Sequence, residues 1–464
     1  MLRSKLFTAT SLLALAASIT TAHAQAPTTV TGGGSTSAEF DYLTELATYN
    51  ASSPPAQFLN ANPSGNPVIY WTSGGGTGQT AFLGDDNTCN SSKVLTGTST
   101  CSGPSGGANA VAYATSDGTL SSTQISSWAT LAFGKAVSGN LIQLPSFGVG
   151  VSFPIVNSSF KKNGAAALDD NDLCNVFTGG FTDWNQTSIA AKVAAGPITV
   201  AFRSDSAGAS FLFLNHLTSV CTGANAPAAG VTLAAVTNFA TIFPKTQGGI
   251  FQTPFVVTGV TYYTPANFVP ANGANGVANY LSGQPGPAPI SAIGYVSPDY
   301  TTLDPLSNAV LADGSKSKLV VAGVVNASNG VAYTPTAKNI TVGLNSPLSG
   351  QNLSPPTGSN LTNPAAYVPV IQTTKSGYPI IGYSTIDLAQ CYGVPSVGAS
   401  VIAYLKDHYG VAAYKAIQSN NGDASLATTK ASGFYTVILN NILSNKTKNN
   451  LDIQDKTACA QIGR

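Results

Sequence analysis

Val68-Ile69-Tyr70-Trp71 runs through Thr72 into Ser73-Gly74-Gly75-Gly76-Thr77-Gly78, and Ala81-Phe82-Leu83 follow almost at once. Apolar, β-prone residues stopped by a Gly/Ser turn read as a short buried strand, and the apolar group beyond the glycines as a helix. The same order recurs along the chain. Residues 110–114 make a strand ending at Ser116-Asp117. Residues 198–202 make another, which enters Arg203-Ser204-Asp205-Ser206-Ala207-Gly208 ahead of a helix over 210–217. Strand, small polar loop and helix in repetition specify an α/β fold and not a sandwich.

Outward from these three units, helices are expected over 38–49, 169–177, 400–409 and 433–443, strands over 141–144, 149–156 and 291–296, and an ordered stretch of unassigned type over 378–386. The acidic start of 169–177 suits a helix N-terminus. Between Pro298 and Pro379 the chain is rich in Ala, Asn, Ser, Thr and Pro, and its elements are not placed by pattern. No fixed-period repeat argues for a solenoid or propeller.

Only 8% of the 464 residues are Asp, Glu, Lys or Arg, against roughly 25% in an ordinary globular protein. The formal net charge is +1. Nucleic-acid binding needs clustered cations and is therefore not expected. A 43% hydrophobic content excludes disorder, and the length suits two domains.

Residues 1–24 read as a secretory signal: Arg3 and Lys5, an apolar centre over 12–17, and Ala22-His23-Ala24 as a small-x-small cleavage site. The expected location is the periplasm, or alternatively the extracellular medium or cell surface. In an oxidising compartment six cysteines suggest disulfides. Neighbouring pairs would be Cys89–Cys101, Cys174–Cys221 and Cys391–Cys459, although other connectivities stay open. With no CxxC spacing and three histidines, one of them in the signal, neither a metal centre nor a cofactor is expected.

The three polar loops carry what chemistry there is. Ligands of open α/β sheets sit beyond the carboxyl ends of strands, where glycines let backbone approach an anion and helix-start amides donate to it. Arg203 adds a fixed cation with a forked donor set. Asp117 suits an anion that carries a proton: its carboxylate accepts from the ligand hydroxyl and rejects a fully deprotonated analogue. Plainer readings stand beside these. The glycine run is also an ordinary loop, Arg203 and Asp205 a surface ion pair, and Asp117-Gly118 a turn.

Seven segments, in order, resemble the periplasmic phosphate-binding proteins of the PstS type and the related secreted DING branch. Gly32-Gly33-Gly34-Ser35-Thr36 is similar to the family's GGGAT, residues 73–83 to GSGxGxxAFL, and Thr115-Ser116-Asp117-Gly118-Thr119-Leu120 to SDxPL. Residues 141–147 resemble its LIQ(L/F)P strand, and residues 172–179 with Asp183-Trp184-Asn185 its helix and Trp turn. Ile293-Gly294-Tyr295-Val296 resembles IGYV, and Tyr378-Pro379-Ile380 resembles YPI.

The resemblance implies a two-lobed type II periplasmic-binding-protein fold. Lobe one would be 25–118 plus 375–464 and lobe two 119–374, with a long insertion near 298–374. It implies a non-catalytic function, capture of phosphate or a similar oxyanion for uptake. An inner-membrane ABC transporter would be the partner, and the chain monomeric. Ligand-binding positions carried over are Thr36, Ser37, Ser73, Gly74, Gly75, Asp117, Arg203, Ser206, Ala207 and Gly208. The last loop departs from the family pattern, because Ala207 and Ala209 stand where R-(S/A)-D-G-S-G-T has hydroxyls. Either phosphate binds more weakly, or the loop is re-registered, or the ligand differs. Two further readings remain: a ligand-free structural or adhesive surface protein, and a secreted phosphatase, which the shortage of nucleophile–base pairs and metal ligands disfavours.

Overall fold

The computed structural model describes residues 30–49, 68–86, 111–284, 286–304, 309–348, 354–428 and 432–464. The expected signal segment and the Cys89–Cys101 pairing lie outside the described residues.

Two mixed sheets carry the fold. The first holds β1 (Val30–Gly34), β2 (Val68–Thr72), β3 (Val111–Ser116) and β4 (Leu141–Gly150), with the later strands Ile381–Ala389 and Ala424–Ser425. From edge to edge it runs Ala424–Ser425, β4, Ile381–Ala389, β3, β1, β2. β1 pairs parallel with β2 and β3, while Ile381–Ala389 is antiparallel to both β3 and β4. β3, β4 and Ile381–Ala389 are buried along their whole lengths, as expected where helices cover both faces.

The second sheet runs Phe268–Ala271, Thr199–Arg203, Ala292–Gly294, β5 (Phe153–Val156), Val321–Asn326, Val331–Tyr333. Phe153, Phe177, Phe213, Phe239 and Tyr295 interlock beside it with ring centroids 4.8–6.5 Å apart, mostly in tilted or edge-on arrangements that aromatic quadrupoles favour.

The division of the chain differs from the sequence reading in two respects. Residues 141–144 and 149–156 read as two strands of lobe two, but residues 141–150 form one strand of the first sheet. Pro145 interrupts the pattern without ending the strand: it faces Thr385, next to the register shift between Tyr383 and Thr385, where a missing N–H is tolerated. The chain therefore crosses between sheets at Val151-Ser152, not at 118/119. It returns through 375–380. Val151 N–H donates to the Ile380 carbonyl at 3.1 Å, and the buried Tyr378 hydroxyl donates to the Val151 carbonyl, so the two crossings are tied together.

Nor is 298–374 an insertion into a finished lobe. It supplies the strands Val321–Asn326 and Val331–Tyr333 of the second sheet and the helix Ala337–Leu344. The apolar run 319–325 is a buried strand whose polar, Pro-containing flanks obscure it in the sequence. Two expected disulfides are present, Cys174–Cys221 and Cys391–Cys459.

Candidate functional site

Three chain segments converge where the lobes meet. The turn after β1 leads into helix α1 (Glu39–Tyr49), the loop after β2 into helix α2 (Gly75–Gly84), and the strand Thr199–Arg203 through Ser204–Ala207 into the helix Gly208–Val220. Asp117 follows β3 directly. Each therefore sits at the carboxyl end of a strand, the position at which a binding crevice forms in such sheets.

Contacts between the lobes are backbone-close, and glycine permits them. Gly74 adopts φ +92°, and a Cβ there would lie 2.7 Å from Asp205 Oδ2. Gly76 N–H donates to the Ser206 carbonyl at 3.0 Å, joining the loop after β2 to the loop after Thr199–Arg203. A Cβ on Gly208 would lie 2.5 Å from the Asp117 amide nitrogen and 2.7 Å from its Cα. Because backbone cannot yield as a flexible side chain can, Gly208→Ala should wedge the lobes apart. An affinity loss of about tenfold or more is expected by calorimetry, with little change in helix stability, since alanine is the better helix former.

Arg203 is the centre of the arrangement and is 1% exposed. Its Nε donates to Asp205 Oδ1 at 2.7 Å, and its Nη2 donates to Asp205 Oδ2 and to Thr36 Oγ1, the latter at 2.6 Å across the lobe junction. Burial works against the guanidinium charge, but Asp205, with smaller help from Tyr295 and Tyr300, offsets it and holds the group above its ordinary value. Asp205 is fixed in turn by the Gly273 N–H at 2.9 Å. The remaining nitrogen, Nη1, is buried and has no hydrogen-bond partner. Such a donor is costly unless a ligand meets it.

Asp117 is 1% exposed and accepts from the Ser35 hydroxyl at 3.0 and 2.9 Å. Burial raises its carboxyl above the usual range, while the hydroxyls of Ser35, Ser37 and Ser384 and the charge of Arg203 pull the other way. Ser35 is itself oriented, its N–H donating to the Thr115 carbonyl at 3.0 Å and its Oγ accepting from Ser37 N–H at 3.1 Å.

Of the positions expected from sequence, Thr36, Ser37, Ser73, Gly74, Gly75, Asp117, Arg203, Ala207 and Gly208 are buried at or beside this junction, and Ser206 is half-buried. Neither serine flanking the two alanines replaces the absent hydroxyls. Ser206 Oγ donates to Thr237 Oγ1 at 2.7 Å, and Ser210 Oγ pairs with the Tyr295 hydroxyl at 2.7 Å. Ala207 caps the helix Gly208–Val220 without a side-chain bond, and Gly74 does the same for α2. Two helix starts thus present amides that no side chain caps, and the helix macrodipole favours negative charge there.

The sequence reading passed over Ser35, which holds Asp117, and took Asp205 only as a surface partner. The i, i+2 spacing of Arg203 and Asp205 in extended chain was the available signal for the clamp, since such residues share a face.

Among the described residues no group of three or more His, Cys, Asp and Glu side chains is placed to hold a metal ion, and no helix is long and apolar enough to cross a membrane.

Comparison with known proteins gives a consistent assignment. A family model described as "PBP superfamily domain" matches residues 20–351. Alkaline phosphatase L of Pseudomonas aeruginosa is 30% identical over 86% of this chain and 88% of its own. A phosphate-binding protein from an unknown prokaryotic organism is 30% identical over 68% of this chain and 74% of its own. The crystal structure of PfluDING, a high-affinity periplasmic phosphate-binding protein with phosphate bound, superposes with a TM-score of 0.65 and 27% identity over 94% of this chain and 99% of that one. The chain therefore belongs to the PBP superfamily, within the family of DING-like phosphate-binding proteins.

Proposed function

We propose that the chain captures phosphate, or an oxyanion of the same shape, between its two lobes and releases it chemically unchanged. The observation that carries this reading is the buried, unpartnered Nη1 of Arg203 beside two helix starts with no side-chain cap. With Arg203 neutralised by Asp205 and Asp117 nearby, the anion would be held mostly by amides and hydroxyls and by one charged fork. Binding would favour the closed arrangement because only there do donors from both lobes reach the ligand. An ABC transporter in the inner membrane is the receiver this role implies, with the chain acting as an exported monomer in the periplasm or outside the cell.

Titration calorimetry with phosphate, arsenate and sulfate tests the reading directly. Heat with the first two is expected, and absence of heat with all three would remove it. For Asp117 the expectation is sharper. A carboxylate accepting from a ligand hydroxyl discriminates against sulfate, so Asp117→Asn should strengthen sulfate binding by about ten- to a hundredfold. An unchanged sulfate-to-phosphate ratio would remove that role.

The name of the Pseudomonas relatives favours a second reading, phosphate-ester hydrolysis. Release of p-nitrophenol from its phosphate ester by purified protein, abolished in the folded Arg203→Met/Asp205→Asn variant, would support it. Heat of phosphate binding without turnover supports capture.

A further inference from the structure

Beyond the anion junction, the lobes meet along a seam of acids. Lobe one supplies Asp41, on α1, and Asp423, just ahead of Ala424–Ser425. Lobe two supplies Asp299, in the turn Pro298–Tyr300, and Asp304. None of the four is more than 2% exposed. The surfaces that carry them are in contact. The Tyr300 hydroxyl donates to Glu39, the rings of Phe40 and Tyr300 lie 5.5 Å apart, and a Cβ on Gly422 would lie 3.0 Å from Pro298 Cβ.

Asp41 Oδ1 accepts from Asn421 Nδ2 at 3.1 Å, and its carboxyl lies against that of Asp423. Two carboxyls can hydrogen-bond only if one of them keeps a proton. Apart from the Asp41 carboxyl, no donor among the described residues reaches either oxygen of Asp423, and none reaches Oδ2 of Asp299, whose Oδ1 accepts from the Ser297 hydroxyl. The other titratable groups facing the seam are Glu39, Glu45, Asp117 and Tyr300. Glu45 is occupied by His408 Nδ1 at 2.7 Å, the Tyr404 hydroxyl at 2.7 Å and Gln418 Nε2 at 3.0 Å. Among the described residues the cation in reach is Arg203, which acts on Glu39 and Tyr300 and is already clamped by Asp205. Burial, and then the neighbouring acids, hold Asp299 and Asp423 well above the usual carboxyl range, and burial does the same to Asp41.

We propose that this seam is a proton-operated latch, holding the lobes together while Asp41, Asp423 and Asp299 are neutral and forcing them apart once they ionise. The sign follows from placement. Proton loss leaves buried carboxylates on both sides of the Pro298–Tyr300 contact, and separation is the motion that hydrates them and relieves the repulsion. Since binding requires closure, alkaline conditions would release the anion. The inference rests on the two-lobed closure reading and not on which anion is bound.

Small-angle X-ray scattering of the ligand-free protein tests it, comparing wild type with Asp299→Asn/Asp423→Asn. The wild type should expand between about pH 5 and about pH 9, as buried carboxyls lose their protons. The double variant should keep one radius. Calorimetry with phosphate at each pH should show the wild type losing about tenfold more affinity than the double variant over the same range, which cancels the ionisation of phosphate itself. A wild-type radius that does not change, or a variant that expands equally, would overturn the latch. If the double variant does not fold, the wild-type series and Asp299→Asn alone decide between the same outcomes. Absence of binding heat at every pH would count against phosphate capture, while the scattering would still judge the latch.

Discussion

Replacing Arg203 by methionine and Asp205 by asparagine together should leave a folded protein whose affinity for phosphate is lower by about a hundred- to a thousandfold. The double change is the informative one. Arg203→Ala alone would strand Asp205 at 6% side-chain exposure, and breaking a buried pair from one side costs about 3–5 kcal/mol of stability. Loss of binding would then be confounded with loss of fold. Removing both charges leaves the introduced asparagine able to accept from the Gly273 amide, as Asp205 Oδ1 does at 2.9 Å, while methionine fills the volume of the arginine stem. What disappears is the Nη1 donor and the positive charge behind it. Losing one charged, buried hydrogen-bonding partner of a ligand costs about 2–5 kcal/mol, and the middle of that range, about 3–4 kcal/mol, is a hundred- to a thousandfold in affinity. Calorimetry measures the effect, and a thermal unfolding curve for the free protein shows whether the fold is intact. A loss below about threefold would place the anion's charge recognition elsewhere.

The same pair shows what was and was not legible in the sequence. Arg203 and Asp117 stand out because a chain with 8% charged residues places each of them directly after an apolar strand. Strand ends are set by local pattern, so the loops that follow them could be found. Ser35, Tyr295 and Thr237 could not be ranked, since serine, tyrosine and threonine are common throughout the chain. Their roles come from contacts spanning 31 to 85 residues. The alternation of strand and helix identified the α/β class. Sheet membership depends on pairing with strands more than 200 residues away, as between β4 and Ile381–Ala389. Local patterning carries no record of that pairing, and the lobe boundary was accordingly misplaced at 118/119. The two departures have separate sources: β4 is continuous across Pro145, and the strand Val321–Asn326 is embedded in polar sequence.

Asp387→Asn should stabilise the protein on the alkaline side by an amount that grows with pH. Asp387 lies on Ile381–Ala389, fully buried in the first sheet, where Gln79 Nε2 donates to its Oδ2 at 3.2 Å and also to the Gly118 carbonyl at 2.9 Å. Burial pushes its carboxyl up from 3.8 to about 8, against the smaller opposing effect of Gln79. In the unfolded chain the group ionises near its ordinary value, so between roughly pH 4 and pH 8 the unfolded state gives up a proton that the folded state keeps. The favourable contribution is complete below the unfolded value and is lost as pH rises towards the folded one. By about pH 8 the difference amounts to something on the order of 5 kcal/mol relative to a group that does not titrate.

Asparagine is that group. Its amide oxygen can accept from Gln79 as Oδ2 does, and its NH2 takes the position of Oδ1, which has no partner, so the variant resembles the neutral acid. Thermal unfolding of wild type and variant should nearly coincide at about pH 4 and diverge by about five degrees at pH 9, with the variant higher. Parallel curves across that range would mean that Asp387 ionises in the folded protein as readily as in the unfolded one. Because Gln79 also holds the carbonyl of Gly118, next to Asp117, the two proteins should differ in phosphate affinity only at pH values where Asp387 is ionised in the wild type.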